Sequence, residues 1–195
     1  MMRPDLKRLS AMAAVLCVSA CTGVNLVPPG TYVPNKDYQL TMGKAWTAYP
    51  VNRRTQTRTL TIDGTMLNEL LLASSIKDGA TLIELPYGDR ERLAPTFRAD
   101  MGEFEIAEFV ADSLIFAGMA NVETYDLRPA DFGTLSGVRF DFTGAHTSGL
   151  EYSGTAKAAV EEGALHLILF YAPTEYYFGL HADEVENIMA SVTLR

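Results

Sequence analysis

Three histidines, His146, His166 and His181, are the side chains best suited to move a proton near neutral pH or to ligate a metal. None stands in an H-x-H or H-E-x-x-H arrangement, so each reads as a solvated or core residue, and a metal site would have to be assembled by the fold. A serine nucleophile needs histidine and a carboxylate within reach. The chain has no G-x-S-x-G elbow; Ser136, Ser148 and Ser153 each precede a glycine, which suits turns. Ser153 with His146 and Asp141 is the one combination a fold could gather into a hydrolase site. Glycosidase chemistry needs two carboxylates facing across a substrate. Glu161 and Glu162 would point to opposite faces of a strand, and Asp183 and Glu184 suit the first turn of a helix, so these acids, with Glu186, read as surface and capping groups. No catalytic residue, metal-ligand set or cofactor is assigned; phosphate-cradling glycine loops are absent as well.

Two clusters suit binding better than catalysis. Arg53, Arg54 and Arg58, in NRRTQTR, form the main basic group of an acidic chain and are candidates for contact with an anionic partner or lipid phosphates. No aromatics interleave them, which argues against nucleic acid, and a solvated hairpin loop is the plainer reading. The stretch FYAPTEYYF brings Phe170, Tyr171, Tyr176, Tyr177 and Phe178 around Pro173. Aromatics so concentrated either fill a core edge or present a docking patch, and Tyr171, Tyr176, Tyr177 and Phe178 are the candidate patch.

The only two cysteines, Cys17 and Cys21, lie near the start. Arg3, Lys7 and Arg8 precede an apolar run from residue 9 to 18 that is too short to span a bilayer, the layout of a secretory signal peptide. Val18-Ser19-Ala20-Cys21 resembles the bacterial lipobox. That resemblance implies cleavage after residue 20 and acylation of Cys21, including palmitate-type chains; several chains anchor firmly because each buried methylene contributes about 0.8 kcal/mol. Thr22 in place of an aspartate implies the periplasmic leaflet of the outer membrane. The rest of the chain is then free of thiols and disulfides, so its stability rests on its core.

The chain's formal charge is −8; residues 1–20 hold three basic residues and one acidic, so without them it is −10. An acidic surface disfavours nucleic acid. Residues 21–36 hold Cys21, Pro28, Pro29, Gly30 and Pro34 and read as a lipidated, proline-rich tether, able to reach roughly 45 Å if fully extended, although Val27, Tyr32 and Val33 leave open that part of it packs on the domain.

Residues 37–195 read as one α+β domain. Strands are expected at 38–42, 45–49, 57–62, 80–85, 122–127, 135–143, 150–160, 164–171 and 191–194. Helices are expected at 65–76, 103–117 and 182–190, the second with Phe104, Ala107, Val110, Leu114 and Ala117 as its apolar stripe and the third with Val185, Ile188 and Met189 facing inward. The four strands of the second half have short links and pair antiparallel. The expected architecture is an antiparallel sheet of about six strands with helices packed on it. The rhythm of residues 100–195, an apolar LHLILFYA strand, Pro173, a helix and a final SVTL, resembles the PsbP-like α/β/α sandwich family. That resemblance implies docking or assembly rather than catalysis. The function expected is a lipid-anchored periplasmic module that holds an envelope protein or small apolar ligand near the membrane; a periplasmic hydrolase and a purely structural lipoprotein are the alternatives.

Overall fold

The computed structural model describes residues 23–85 and 93–195. The signal-peptide reading and Cys21 lie outside the described residues. Among the described residues eleven strands, two α-helices and one π-helical turn, Thr174–Phe178, form a layered α+β domain: β1 Asn25–Val27, β2 Gly30–Tyr32, β3 Tyr38–Met42, β4 Trp46–Ala48, β5 Thr57–Thr61, β6 Glu69–Lys77, α1 Glu103–Phe116, β7 Ala120–Phe132, β8 Leu135–Ala145, β9 Glu151–Glu161, β10 Ala164–Pro173, α2 Gly179–Ala190 and β11 Thr193–Leu194. The main sheet has eight strands in the order β1-β4-β5-β6-β10-β9-β8-β7, and every pairing is antiparallel. A second sheet, β11-β3-β2, is small.

Both faces of the large sheet are covered. On one face α2 and β3 bury Leu70, Leu72, Ile168 and Phe170 under Tyr38, Leu40, Val185, Ile188 and Met189. On the other face α1 and Phe97 cover Leu71, Ala73, Leu167 and Leu169. Neighbours along β6 and β10 thus alternate between two cores, as the pleat requires.

That double burial explains the main correction. Residues 65–76 are not a helix: Glu69–Lys77 is a central strand. A strand dry on both faces is apolar at nearly every position, so LLLAS carries no period of two, and its leucines also satisfy a helical spacing. The main sheet accordingly has eight strands rather than six. Residues 80–85 form no strand, although Ala80 and Gly79 exchange backbone hydrogen bonds with Phe97. In α1 the buried stripe is Ile106, Ala107, Phe109, Val110, Ser113 and Leu114: the expected Ala107, Val110 and Leu114 lie in it, while Phe104 and Ala117 at its two ends are exposed. Val185, Ile188 and Met189 of α2 do face the core.

The stretch read as a tether is largely part of the fold. Asn25–Val27 pairs with β4 and Gly30–Tyr32 with β3, and Val27 is buried. Pro28 and Pro29 lie between these two three-residue strands, where no ladder donor is needed.

Candidate functional site

The least regular part of the central sheet is where β6 passes His166. Leu165 pairs with Ile76 and Leu167 with Ala73, so His166 alone faces both Ser74 and Ser75. This is a β-bulge, and Ser75 takes up the extra residue with a left-handed φ of 57°. The bulge aims both hydroxyls the same way. Ser74 Oγ and Ser75 Oγ donate to Asp37 Oδ2 at 2.5 and 2.9 Å. Burial would raise the Asp37 carboxyl's pKa, but the two hydroxyls and nearby His166 outweigh it and hold it below its ordinary value. The Tyr38 phenol reaches the carbonyls of Ala73 and Leu167 at 3.3 and 3.4 Å, beside the same irregularity, and burial pushes its pKa far up.

His166 is 2% exposed and packs against the rings of Tyr38 and Phe132. Its Nε2 is 3.7 Å from Glu161 Oε2, and its Nδ1 has no hydrogen-bond partner among the described residues. Burial pulls its pKa down, and Asp37 and Glu161 only partly offset this. Above it opens a cleft of about 460 Å³ lined by Lys36, Asp37, Ser75, Lys77, Glu161 and His166, among others. The walls carry both signs of charge.

The other candidate residues scatter. Ser153 shares a hydrogen bond with Thr174, the ring of His146 with Ser148, and Asp141 pairs with Arg128, so the three do not form a relay. Among the described residues no group of three or more His, Cys, Asp or Glu is placed to hold a metal. Arg53 and Arg54 lie on the turn after β4, exposed, with Arg54 Nη1 2.5 Å from Glu84 Oε1. Arg58 is separate: it is half-buried in β5, with its guanidinium 5.7 Å from the centre of the Tyr32 ring. The aromatics divide among three environments. Tyr171 points to the α1 face, against Tyr152, and hydrogen-bonds Glu69, whose pKa burial raises. Tyr177 and Phe178 pack on the opposite core, Phe178 stacked on Phe170. Tyr176, 62% exposed, stands out on the π-helical turn Thr174–Phe178 with its ring edge against Tyr177 at 5.1 Å. These four side chains are therefore not one patch.

Two polar networks escaped sequence reasoning. Glu184, read as a surface acid, is buried and accepts hydrogen bonds from the backbone N–H of Gly43 and Lys44 and from Trp46 Nε1. Gly43 permits that approach, since a Cβ there would stand 2.4 Å from the carboxylate. His181 is 3% exposed, with Nε2 2.7 Å from Asp63, which also accepts from Asn68. Asp63 and His181 are 118 residues apart in the chain, so no local pattern marks the pair.

No protein family matches the chain, and no curated protein does. Among solved structures, cyanobacterial PsbP (CyanoP) from Synechocystis sp. PCC 6803 superposes with a TM-score of 0.57 at 10% identity, covering 94% of this chain and 99% of that one. The fold is PsbP-like. The likeness runs through nearly the whole chain, not only the half from residue 100 whose rhythm suggested it. LpqN of Mycobacterium tuberculosis, described as involved in cell envelope biogenesis, matches with a TM-score of 0.35 at 13% identity, covering 90% of this chain and 87% of LpqN. Among the described residues no helix is long and apolar enough to cross a membrane.

Proposed function

We propose that this chain is a lipid-anchored module of the bacterial envelope, held by acylated Cys21 at the periplasmic face of the outer membrane, that carries out no chemistry itself and docks a partner protein near the membrane. The observation that supports it best is Tyr176. Its ring is 62% exposed on a turn fixed between Pro173, at the end of a central strand, and α2. A rigid exposed tyrosine contributes contact area at little entropic cost, the property of an interface anchor. Ser153, His146 and Asp141 each hold a different partner, so the hydrolase reading gains nothing from the geometry.

The anchor is tested by Cys21→Ser, which should move the protein out of the membrane fraction and abolish palmitate labelling; labelling that persists would refute it. The docking role is tested by placing a photo-crosslinker at position 175 in the intact envelope. A discrete adduct that Tyr176→Ala abolishes, with the thermal midpoint unchanged, supports the reading. An adduct indifferent to Tyr176 sinks it.

A further inference from the structure

The register of the main sheet gives the molecule two poles. Thr57 pairs with Ala73, Lys77 with Ala164 and Ala164 with Glu161, so the 52–56 turn and the His166 cleft share one pole. Glu69 pairs with Tyr171 and Pro173 with Tyr152, so the turn bearing Tyr176 belongs to the other. A ten-residue strand such as β10 places the two about 30 Å apart.

The N-terminus enters at the first pole. Asn25 pairs with Ala48, and a Cβ on Gly23 would stand 2.7 Å from Pro50 Cγ, next to the 52–56 turn. Cys21 is two peptide steps from Gly23, about 8 Å at full stretch. An acyl chain on Cys21 is therefore tied close to Pro50, and the domain has no long tether on which to tumble. Arg53 and Arg54 are exposed basic residues of that corner, Lys36 is exposed beside Asn35, which hydrogen-bonds Gln56 of the turn, and Glu84 is the carboxylate paired with Arg54. The acids Asp37, Glu161 and Glu162 line the His166 cleft together with Gln56 of that turn and with Lys36 and Lys77, so the attraction to anionic lipid falls on the arginine corner beside the N-terminus and not on the cleft.

We propose that this pole is held flat against the bilayer, with Arg53 and Arg54 engaging the phosphates of anionic phospholipid headgroups. The inference rests on the anchored reading above. It orients the molecule: the His166 cleft opens toward the membrane surface, and Tyr176 points away from it.

The test uses the full acylated chain in vesicles of phosphatidylethanolamine and phosphatidylglycerol. With Cys21 acylated, residues 22–195 hold no other thiol, so one introduced cysteine takes a fluorophore cleanly. Pro50→Cys, which keeps both arginines, and Tyr176→Cys are labelled separately, and a nitroxide-headgroup lipid is the contact quencher. Emission from position 50 should be largely lost and that from position 176 retained. The loss at 50 should weaken when phosphatidylcholine replaces phosphatidylglycerol, when salt is raised, or when Arg53→Gln and Arg54→Gln are added. Equal quenching at both sites, stronger quenching at 176, or none at 50 in vesicle-bound protein would overturn the orientation; quenching at 50 indifferent to lipid charge, salt and both arginines would overturn the headgroup contact. A chain that does not co-sediment with vesicles would instead sink the anchor reading and this inference with it.

Discussion

His166 and His181 are both buried histidines leaning on a carboxylate, one at each pole of the same sheet, and they differ in what closes around the imidazole. Each leaves its Nδ1 without a hydrogen-bond partner among the described residues, but His181 meets Asp63 at 2.7 Å, and that carboxylate is held in a network: Asn68 donates to Asp63 and accepts from Thr61 Oγ and the Ile62 N–H. His166 stands 3.7 Å from Glu161, and the hydroxyls beside it serve Asp37 instead. One pole uses its polar groups to lock a turn. The other leaves a histidine in an aromatic wall at the foot of an open cleft. Satisfied buried networks stabilise, and the two poles differ in whether the histidine itself belongs to the network that satisfies the carboxylate.

The sharpest way to break the contrast is Asn68→Ala. It strips three hydrogen bonds from a side chain that is 1% exposed and leaves Thr61, Ile62 and Asp63 short of a partner. A loss of about 3 kcal/mol in urea unfolding is expected. A loss under about 1 kcal/mol would mean water replaces the amide and the pole is not locked.

The histidine of the open pole should register in acid. Because burial lowers the His166 pKa in the folded state, the unfolded chain binds the proton first, near pH 6.5. The stability it contributes is complete above that value and drains as pH falls toward the depressed folded pKa. Asp37, also depressed, adds a second loss that begins only as pH approaches its unfolded value near 3.8. Urea midpoints measured from pH 7.5 to 5 should decline in the wild type and stay flatter in His166→Gln. An identical slope in both would remove His166 from the account.

A smaller effect is expected from Ser75→Ala. Asp37 keeps its bond from Ser74, so the cost should be about 1 kcal/mol, and the Asp37 pKa read by NMR should rise toward its ordinary value. No movement of that pKa would show that the bulge does not tune the carboxylate. The least effect on stability belongs to Tyr176→Ala, within about 0.5 kcal/mol, because its ring is mostly in solvent. A larger loss would make Tyr176 core and undo its role as a docking residue.

Two routes made elements legible in the sequence. β8 and α2 have patterns that record a single buried side, whereas β9 and β10, buried on both faces, were placed by the turn residues that bound them, Thr147-Ser148-Gly149, Glu161-Glu162-Gly163 and Pro173. The strand Glu69–Lys77 was not legible as one, because burial on both sides erases alternation. The candidate site was less legible. The aromatic run and the arginines stand out by composition, yet pleat direction sends Phe170 and Tyr171 to opposite cores, and Arg58 turns to Tyr32 and away from Arg53. The bulge at Ser74 and Ser75 has no mark in composition, since it arises from register between strands.

By itself the sequence determined the α+β class, the thiol-free domain, the acidic surface and the short apolar start ending in Cys21, all of which depend on residue type and local period. Only the tertiary structure decided that the proline-rich stretch after Cys21 is sheet, that His166 and Asp37 share a cleft, and that Gly23 and Tyr176 belong to opposite poles. These are consequences of which strands pair and in what register, and pairing between segments far apart in the chain is set by mutual burial that no single segment encodes.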